Sequence, residues 1–192
     1  MRATAGIAFC LWASAAAFSQ TQTSVLIPAP YLAPKYVAPV DAPSVIIMAA
    51  DEPGDRFIVT GQALDTGRPV AGVSIYVFHA DAEGFYTRDG HNSDENARLF
   101  GTLRTDANGR YRYETIRPSG YGGLSAHVHQ VVTAHGYKPR LFDLWLGDDP
   151  ILQRNRASGR NMPPEIFIRP VTRDAAGIWH ASHDIEMLRD AN

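Results

Sequence analysis

Val73-Ser74-Ile75-Tyr76-Val77-Phe78-His79-Ala80 is the stretch on which the fold turns. It is dense in β-branched and aromatic residues and carries no helical spacing, so it reads as one long strand. Turn sequences bracket it. Asp65-Thr66-Gly67-Arg68-Pro69 comes before and Thr105-Asp106-Ala107-Asn108-Gly109 after. Beyond the first turn, Phe57-Ile58-Val59-Thr60-Gly61 reads as a strand ending in glycine. Beyond the second, Arg110-Tyr111-Arg112-Tyr113-Glu114-Thr115-Ile116 alternates in character. Further strands are expected over His127–Thr133, Leu141–Leu146, Glu165–Ile168 and Asp184–Leu188. No segment keeps a 3.6-residue period over a helix-length window. Short strands separated by Gly, Asp, Asn and Pro turns point to an all-β sandwich or barrel. Two longer connections, 81–99 and 147–164, are the places where function or a cover could sit.

The 192 residues favour one domain. Residues 1–19 read as a signal peptide. Arg2 supplies a short positive start, Ala5 to Phe18 is apolar and uncharged, and Ala17-Phe18-Ser19 has the small residues of a cleavage site. That run is short for a membrane span, which needs roughly 20 apolar residues. No other run in the chain is long enough. The expected location is therefore exported, periplasmic or secreted, with no transmembrane span in the mature chain. The single cysteine, Cys10, falls inside the signal, so the mature protein has to hold its fold without disulfides. Residues 20–55 are rich in proline and read as an extended arm, with one strand expected at Ser44–Met48. The β-sandwich domain is expected over 56–192. The net charge of -2, with no basic tract, argues against nucleic acid as a partner.

Ala126-His127-Val128-His129 carries the chemistry. On a strand, residues two apart share a face, so the two imidazoles project together. Such a pair is either the start of a metal site or a hydrogen-bonded pair on an exposed strand. The cluster has no cysteine and need not use carboxylates, so any further ligands have to be sought nearby. Tyr111 and Tyr113, on an alternating strand, read as core tyrosines. His79, His91, His135, His180 and His183 read as surface residues or as supports behind a ligand.

The spacing of Thr115-Ile116-Arg117-Pro118-Ser119-Gly120-Tyr121 and Ala126-His127-Val128-His129 resembles the signature of intradiol ring-cleavage dioxygenases. Gly61-Gln62-Ala63 and Gly67 to Val73 are similar to that family's approach to its second strand. Val77 to Tyr86 is similar to the segment that ends in its first tyrosine ligand, and Thr105-Asp106 with Gly109-Arg110-Tyr111 to the turn before the second. The resemblance implies an antiparallel β-sandwich of the intradiol type. It implies Fe(III) as cofactor, held by Tyr86, Tyr121, His127 and His129. Phenolate oxygens suit a hard, highly charged ion. The implied reaction opens a catechol-type aromatic ring with O2 to a muconate-type diacid, with Tyr121 as the exchangeable, catalytic ligand. It also admits a homodimer.

Two positions depart from the family pattern. Leu124 stands where an arginine is usual, three residues before His127. Asp143 stands where a glutamine is common, and a carboxylate there is expected to repel a catecholate unless it is protonated or paired. In addition, the Phe78-His79 pair replaces a tryptophan. Arg117, Arg140 and Arg88 are the candidates to replace the missing guanidinium. Two other readings compete with the enzyme: an iron-binding relative with lost or altered activity, and a non-enzymatic transthyretin-like β-sandwich binding module.

Overall fold

The computed structural model describes residues 37–38, 42–90 and 96–190. The signal peptide, most of the arm before Ser44, and His91 lie outside them. Twelve strands and one helix follow in chain order: β1 Ser44–Ile46, β2 Arg56–Asp65, β3 Arg68–Pro69, β4 Ser74–His79, β5 Leu99–Arg104, β6 Arg110–Ile116, β7 His127–Thr133, β8 Arg140–Leu146, α1 Pro150–Ser158, β9 Ile168–Arg169, β10 Thr172–Arg173, β11 Trp179–Ser182 and β12 Ile185–Glu186.

The strands form two sheets. One has the order β1-β6-β2-β11-β10, with β3 and β12 also paired to β2; the other runs β5-β4-β7-β8-β9. The long central pairings β2–β6, β4–β5, β4–β7 and β7–β8 are antiparallel. Short parallel pairings are added around them: β1 on β6, β11 and β12 on β2, and β9 on β8. The expected strand in the arm is thus a member of the sheet, joined to the middle of β6 through Ser44↔Arg112 and its neighbours.

Phe57, Val59, Tyr111, Tyr113 and Ala181 of the first sheet share one buried apolar cluster with Ile75, Val77, Val128, Val132, Phe142 and Leu144 of the second. That cluster is the sandwich core. The other face of the second sheet is also covered. Tyr76, Phe78 and Val131 pack there with Tyr86 and Ala97, which arrive from the long connection after β4. Coverage on both faces explains why all six residues of β4 are buried and why its sequence is a continuous apolar run instead of an alternating one.

The core contains a closed polar cluster. Gln130 donates from Nε2 to the hydroxyls of Tyr111 at 3.3 Å and Tyr113 at 3.4 Å. Its Oε1 accepts from His183 Nδ1 at 2.5 Å, and the Tyr111 hydroxyl donates to the His183 carbonyl at 2.5 Å. The core reading of both tyrosines holds. His183, expected at the surface or behind a ligand, is instead buried between the sheets.

Several elements differ from expectation. Trp179–Ser182 and Thr172–Arg173 are strands where none was expected. Leu99–Arg104 is a strand. Glu165–Phe167 is a 3-10 turn, with only Ile168–Arg169 extended. The connection 147–164 holds helix α1, which buries only Leu152. No helix among the described residues is long and apolar enough to cross a membrane.

Candidate metal centre

The site is built on the outer face of β7. His127 and His129 lie opposite Trp145 and Asp143 of β8, and His129 lies opposite Phe78 of β4. Each imidazole is gripped by these neighbours. His127 stacks on the Trp145 ring with centroids 4.1 Å apart, and His129 on Phe78 at 4.6 Å. Each also commits its Nδ1 away from its partner. His127 Nδ1 lies 2.7 Å from the Ser125 carbonyl oxygen. His129 Nδ1 lies 2.6 Å from Asp143 Oδ1. Carbonyl and carboxylate oxygens only accept, so both Nδ1 atoms carry a proton, and in the neutral ring each Nε2 presents a lone pair.

Two tyrosines meet those lone pairs. The Tyr86 hydroxyl lies 2.8 Å from His129 Nε2 and 3.0 Å from the Tyr121 hydroxyl. The Tyr121 hydroxyl lies 3.4 Å from His127 Nε2. All four residues named from the sequence therefore converge, with two nitrogens and two oxygens linked in one chain of hydrogen-bonding distances from His129 through the two phenols to His127.

Local sequence places each tyrosine. Tyr86 follows a tight loop organised by Asp81, whose Oδ1 accepts from the amides of Glu83 and Phe85 at 3.1 and 2.8 Å. Asp81 Oδ2 pairs with Arg98 at 3.0 Å, and Arg98 also holds Glu52 at 2.8 Å. The Arg98 amide donates to the Tyr86 carbonyl at 2.9 Å, so the segment is clamped on both sides. Tyr86 itself is 1% exposed. Tyr121 opens a two-residue hairpin turn, closed by Tyr121–Leu124 backbone bonds of 3.1 and 2.8 Å. Gly122 and Gly123 sit there at φ 54° and 83°, a pair of left-handed conformations that glycine adopts without strain. Asn155 of α1 holds the turn by donating to the Gly123 carbonyl at 2.9 Å. The two tyrosine loops touch where Gly84 faces Gly120. A Cβ at Gly84 would lie 2.9 Å from the Gly120 oxygen and 3.2 Å from Tyr121 Cβ.

Burial, together with the nearby His129, lowers the His127 pKa to about 4, against the opposing pull of the Ser125 carbonyl. The ring is neutral at ordinary pH, as a ligand has to be. For Asp143, burial works against its charge. The hydrogen bond from His129 and the surrounding imidazoles outweigh this and hold its carboxyl below the usual carboxylate range.

Asp143 falls under the stated exception to repulsion, since its carboxylate is paired with His129. The candidate arginines are placed elsewhere. Arg117 is bound to Asp148 at 2.8 Å and lies 4.4 Å above the Trp179 ring. Arg140 is buried over Phe142, 4.6 Å from the centre of that ring. Arg88 borders an open cavity of about 610 Å³ with Glu52, Asp81, Phe85 and Arg98, none of them among the four converging residues. Leu124 packs its side chain against the sandwich core. His79 is fully buried at the end of β4, with its nitrogens 2.7 Å from the Ala80 carbonyl and the Thr115 hydroxyl. His180 pairs with Asp174 at 2.8 Å, and His135 is exposed.

Residues 27–159 match the family model described as dioxygenase. The chain belongs to the intradiol ring-cleavage dioxygenase family. Among the curated intradiol dioxygenases, chlorocatechol 1,2-dioxygenase of Rhodococcus opacus is 32% identical over 136 residues, which cover 60% of this chain and 53% of that enzyme. Protocatechuate 3,4-dioxygenase beta chain of Burkholderia cepacia is 30% identical over 157 residues, covering 72% and 67%. Catechol 1,2-dioxygenase from Pseudomonas arvilla C-1 superposes with a TM-score of 0.65 at 25% identity, over 82% of this chain and 60% of that one. The chain spans 53%, 40% and 50% of the length of the first three curated relatives it matches, about half. The solved relatives share the all-β sandwich that the sequence pointed to.

Proposed function

We propose that this chain is an exported Fe(III) intradiol dioxygenase that cleaves catechol-type rings between the two hydroxyl-bearing carbons. One catechol and one O2 give one muconate-type diacid, with both oxygen atoms retained. The observation that carries the reading is the convergence of Tyr86, Tyr121, His127 and His129 with all four donor atoms turned inward.

The donor set fits the ion. Among the described residues no group of three or more His, Cys, Asp or Glu gathers as a metal site, so the two phenols are what would complete one here. Two neutral imidazoles and two phenols, the latter giving up their protons, make an N2O2 set suited to a trivalent ion. When bound, ferric iron supplies a Lewis-acidic, redox-competent centre for a catecholate and O2. The protein contributes the rest. Tyr86 is buried and clamped, which suits a permanent ligand. Tyr121 is half-buried on a glycine turn, which suits a phenol that swings aside and takes up a proton as catechol arrives. Leu124 offers no positive charge to a developing anion. Losing one such contact typically costs about 10²–10³ in rate, so turnover is expected to be slow.

Export rests on the sequence of residues 1–19, and the mature chain is expected to begin near Gln20. An intact Met1 in a soluble product from the native host would count against it.

Activity is tested by oxygen uptake with product identification across a panel of catechols, using iron-loaded protein. Stoichiometric ring-opened diacid is expected from at least one electron-rich catechol. A red-brown protein whose spectrum shifts with catechols but which consumes no oxygen would replace the enzyme with an iron-binding relative. A colourless protein that takes up no iron would leave a binding module.

A further inference from the structure

The two imidazoles are held by unlike partners. His127 Nδ1 meets a neutral main-chain carbonyl, whereas His129 Nδ1 meets a carboxylate at 2.6 Å. From this difference we infer that Asp143 is a positioning residue, which fixes the tautomer of His129 and strengthens its Nε2 as a donor to the metal. The inference rests on the ferric reading above but uses a different observation.

Register places Asp143 opposite His129 in an antiparallel pair, so its side chain emerges on the same face as the two imidazoles. The site is an awkward one for a charge. Phe78, Tyr86 and Val131 form the apolar layer here, and the Asp143 side chain is only 29% exposed. A carboxylate in such surroundings needs a strong partner. The 2.6 Å contact to His129 has the length of a charge-assisted hydrogen bond.

The consequence follows from donor and acceptor chemistry. Stacking on Phe78 sets the plane of the His129 ring, but a stacked ring can carry its proton on either nitrogen. An amide side chain in place of Asp143 could turn over and donate to Nδ1, which would favour the wrong tautomer. An ionised carboxylate can only accept, so it demands Nδ1–H and, in the neutral ring, leaves Nε2 bare. Negative charge behind an imidazole also raises the basicity of the nitrogen in front, as in carboxylate–histidine–metal arrangements. His129 is therefore the stronger and more firmly defined of the two nitrogen donors, and it is the one that faces the buried Tyr86.

Two readouts test this, one of them independent of iron. Nitrogen-15 NMR of the metal-free protein should show both site histidines as the Nδ1–H tautomer. In Asp143→Leu, His129 should move toward Nε2–H while His127 stays unchanged as an internal control. With ferric iron loaded, Asp143→Leu should lose metal to a chelator about 10–100-fold faster than wild type, and its tyrosinate charge-transfer band should shift. Asp143→Asn, close in size to the native side chain, should fall between the two. Thermal melts of each metal-free variant establish that the fold is intact. An unchanged His129 tautomer in Asp143→Leu, with iron retained within about twofold of wild type, overturns the inference. The tautomer change in a protein that takes up no iron supports the role of Asp143 while removing the ferric reading.

Discussion

Strand β7 carries a tyrosine–histidine cluster on each of its faces. Outward, His127 and His129 meet Tyr86 and Tyr121. Inward, Gln130 joins Tyr111, Tyr113 and His183. The residue types nearly match, yet the two clusters do different things. In the core the Gln130 amide supplies two donors and an acceptor, and the bond from the Tyr111 hydroxyl to the His183 carbonyl closes the circuit. Burial then pushes both tyrosines above their ordinary pKa and lowers His183 to about 3. Those phenols keep their protons. On the outer face no amide intervenes. Each imidazole gives its proton to an oxygen behind it and turns its lone pair toward a phenol. Whether such a cluster could hold a metal therefore depends less on which residues are gathered than on which atoms are left over once the local hydrogen bonds are made.

The widest separation between the two faces should appear in iron binding. His127→Ala, His129→Ala and Tyr86→Phe should each weaken ferric iron retention by more than about 100-fold, beyond the loss expected from a supporting residue. Tyr111→Phe and Tyr113→Phe should leave iron stoichiometry intact. Metal analysis after gel filtration against a chelator decides it. Full iron in the two histidine variants would erase the distinction.

Stability should show the reverse pattern. Gln130→Leu strands His183 Nδ1 and the Tyr113 hydroxyl inside the sandwich, at a cost of about 2–4 kcal/mol. Denaturant melts of metal-free protein should show that loss, whereas His127→Ala on the outer face should cost less. Equal losses would mean that the inner network is no more structural than the outer one.

Acid offers the finest comparison. The folded His183 pKa of about 3 lies below the unfolded value of 6.5, with Arg169 lowering it further and Asp143 opposing. Between these values the unfolded chain binds a proton that the fold refuses. Stability from this group is complete above pH 6.5 and is lost as pH falls toward 3, by about 1.4 kcal/mol per pH unit. A His183→Gln variant should melt with a shallower dependence on pH from 6 to 4 than wild type. Parallel curves would show that His183 is already charged in the fold.

What could be read in advance was local. β4 announced itself through a continuous apolar run, and β6 ran over the expected residues. The four converging residues lay in short motifs, two of them two apart on one strand. What escaped depended on contacts distant in sequence. β5 has a glycine at its centre, Gly101, and the reason lies elsewhere: a Cβ there would come within 2.9 Å of Ile47. Helix α1 buries a single side chain, so its periodicity was too faint to see. Its boundary signals were nevertheless present in Asp149, Pro150 and Gly159, which cap and end it. The partner of Asp143 could not be inferred, because that pairing requires the register of β7 against β8.

The contact between Gly84 and Gly120 has a bearing on how such a site can be altered. Both tyrosine loops meet at a joint made of two residues without side chains, and the spacing of the loops is set by backbone against backbone. A side chain at Gly84 would push the two loops apart, so that joint is a fixed point of the fold. Variation belongs at Leu124 and at Ile151, whose methyl would be 2.7 Å from a Cβ at Gly120. Those side chains can change shape while the attachment points of the two tyrosines stay where the backbone holds them.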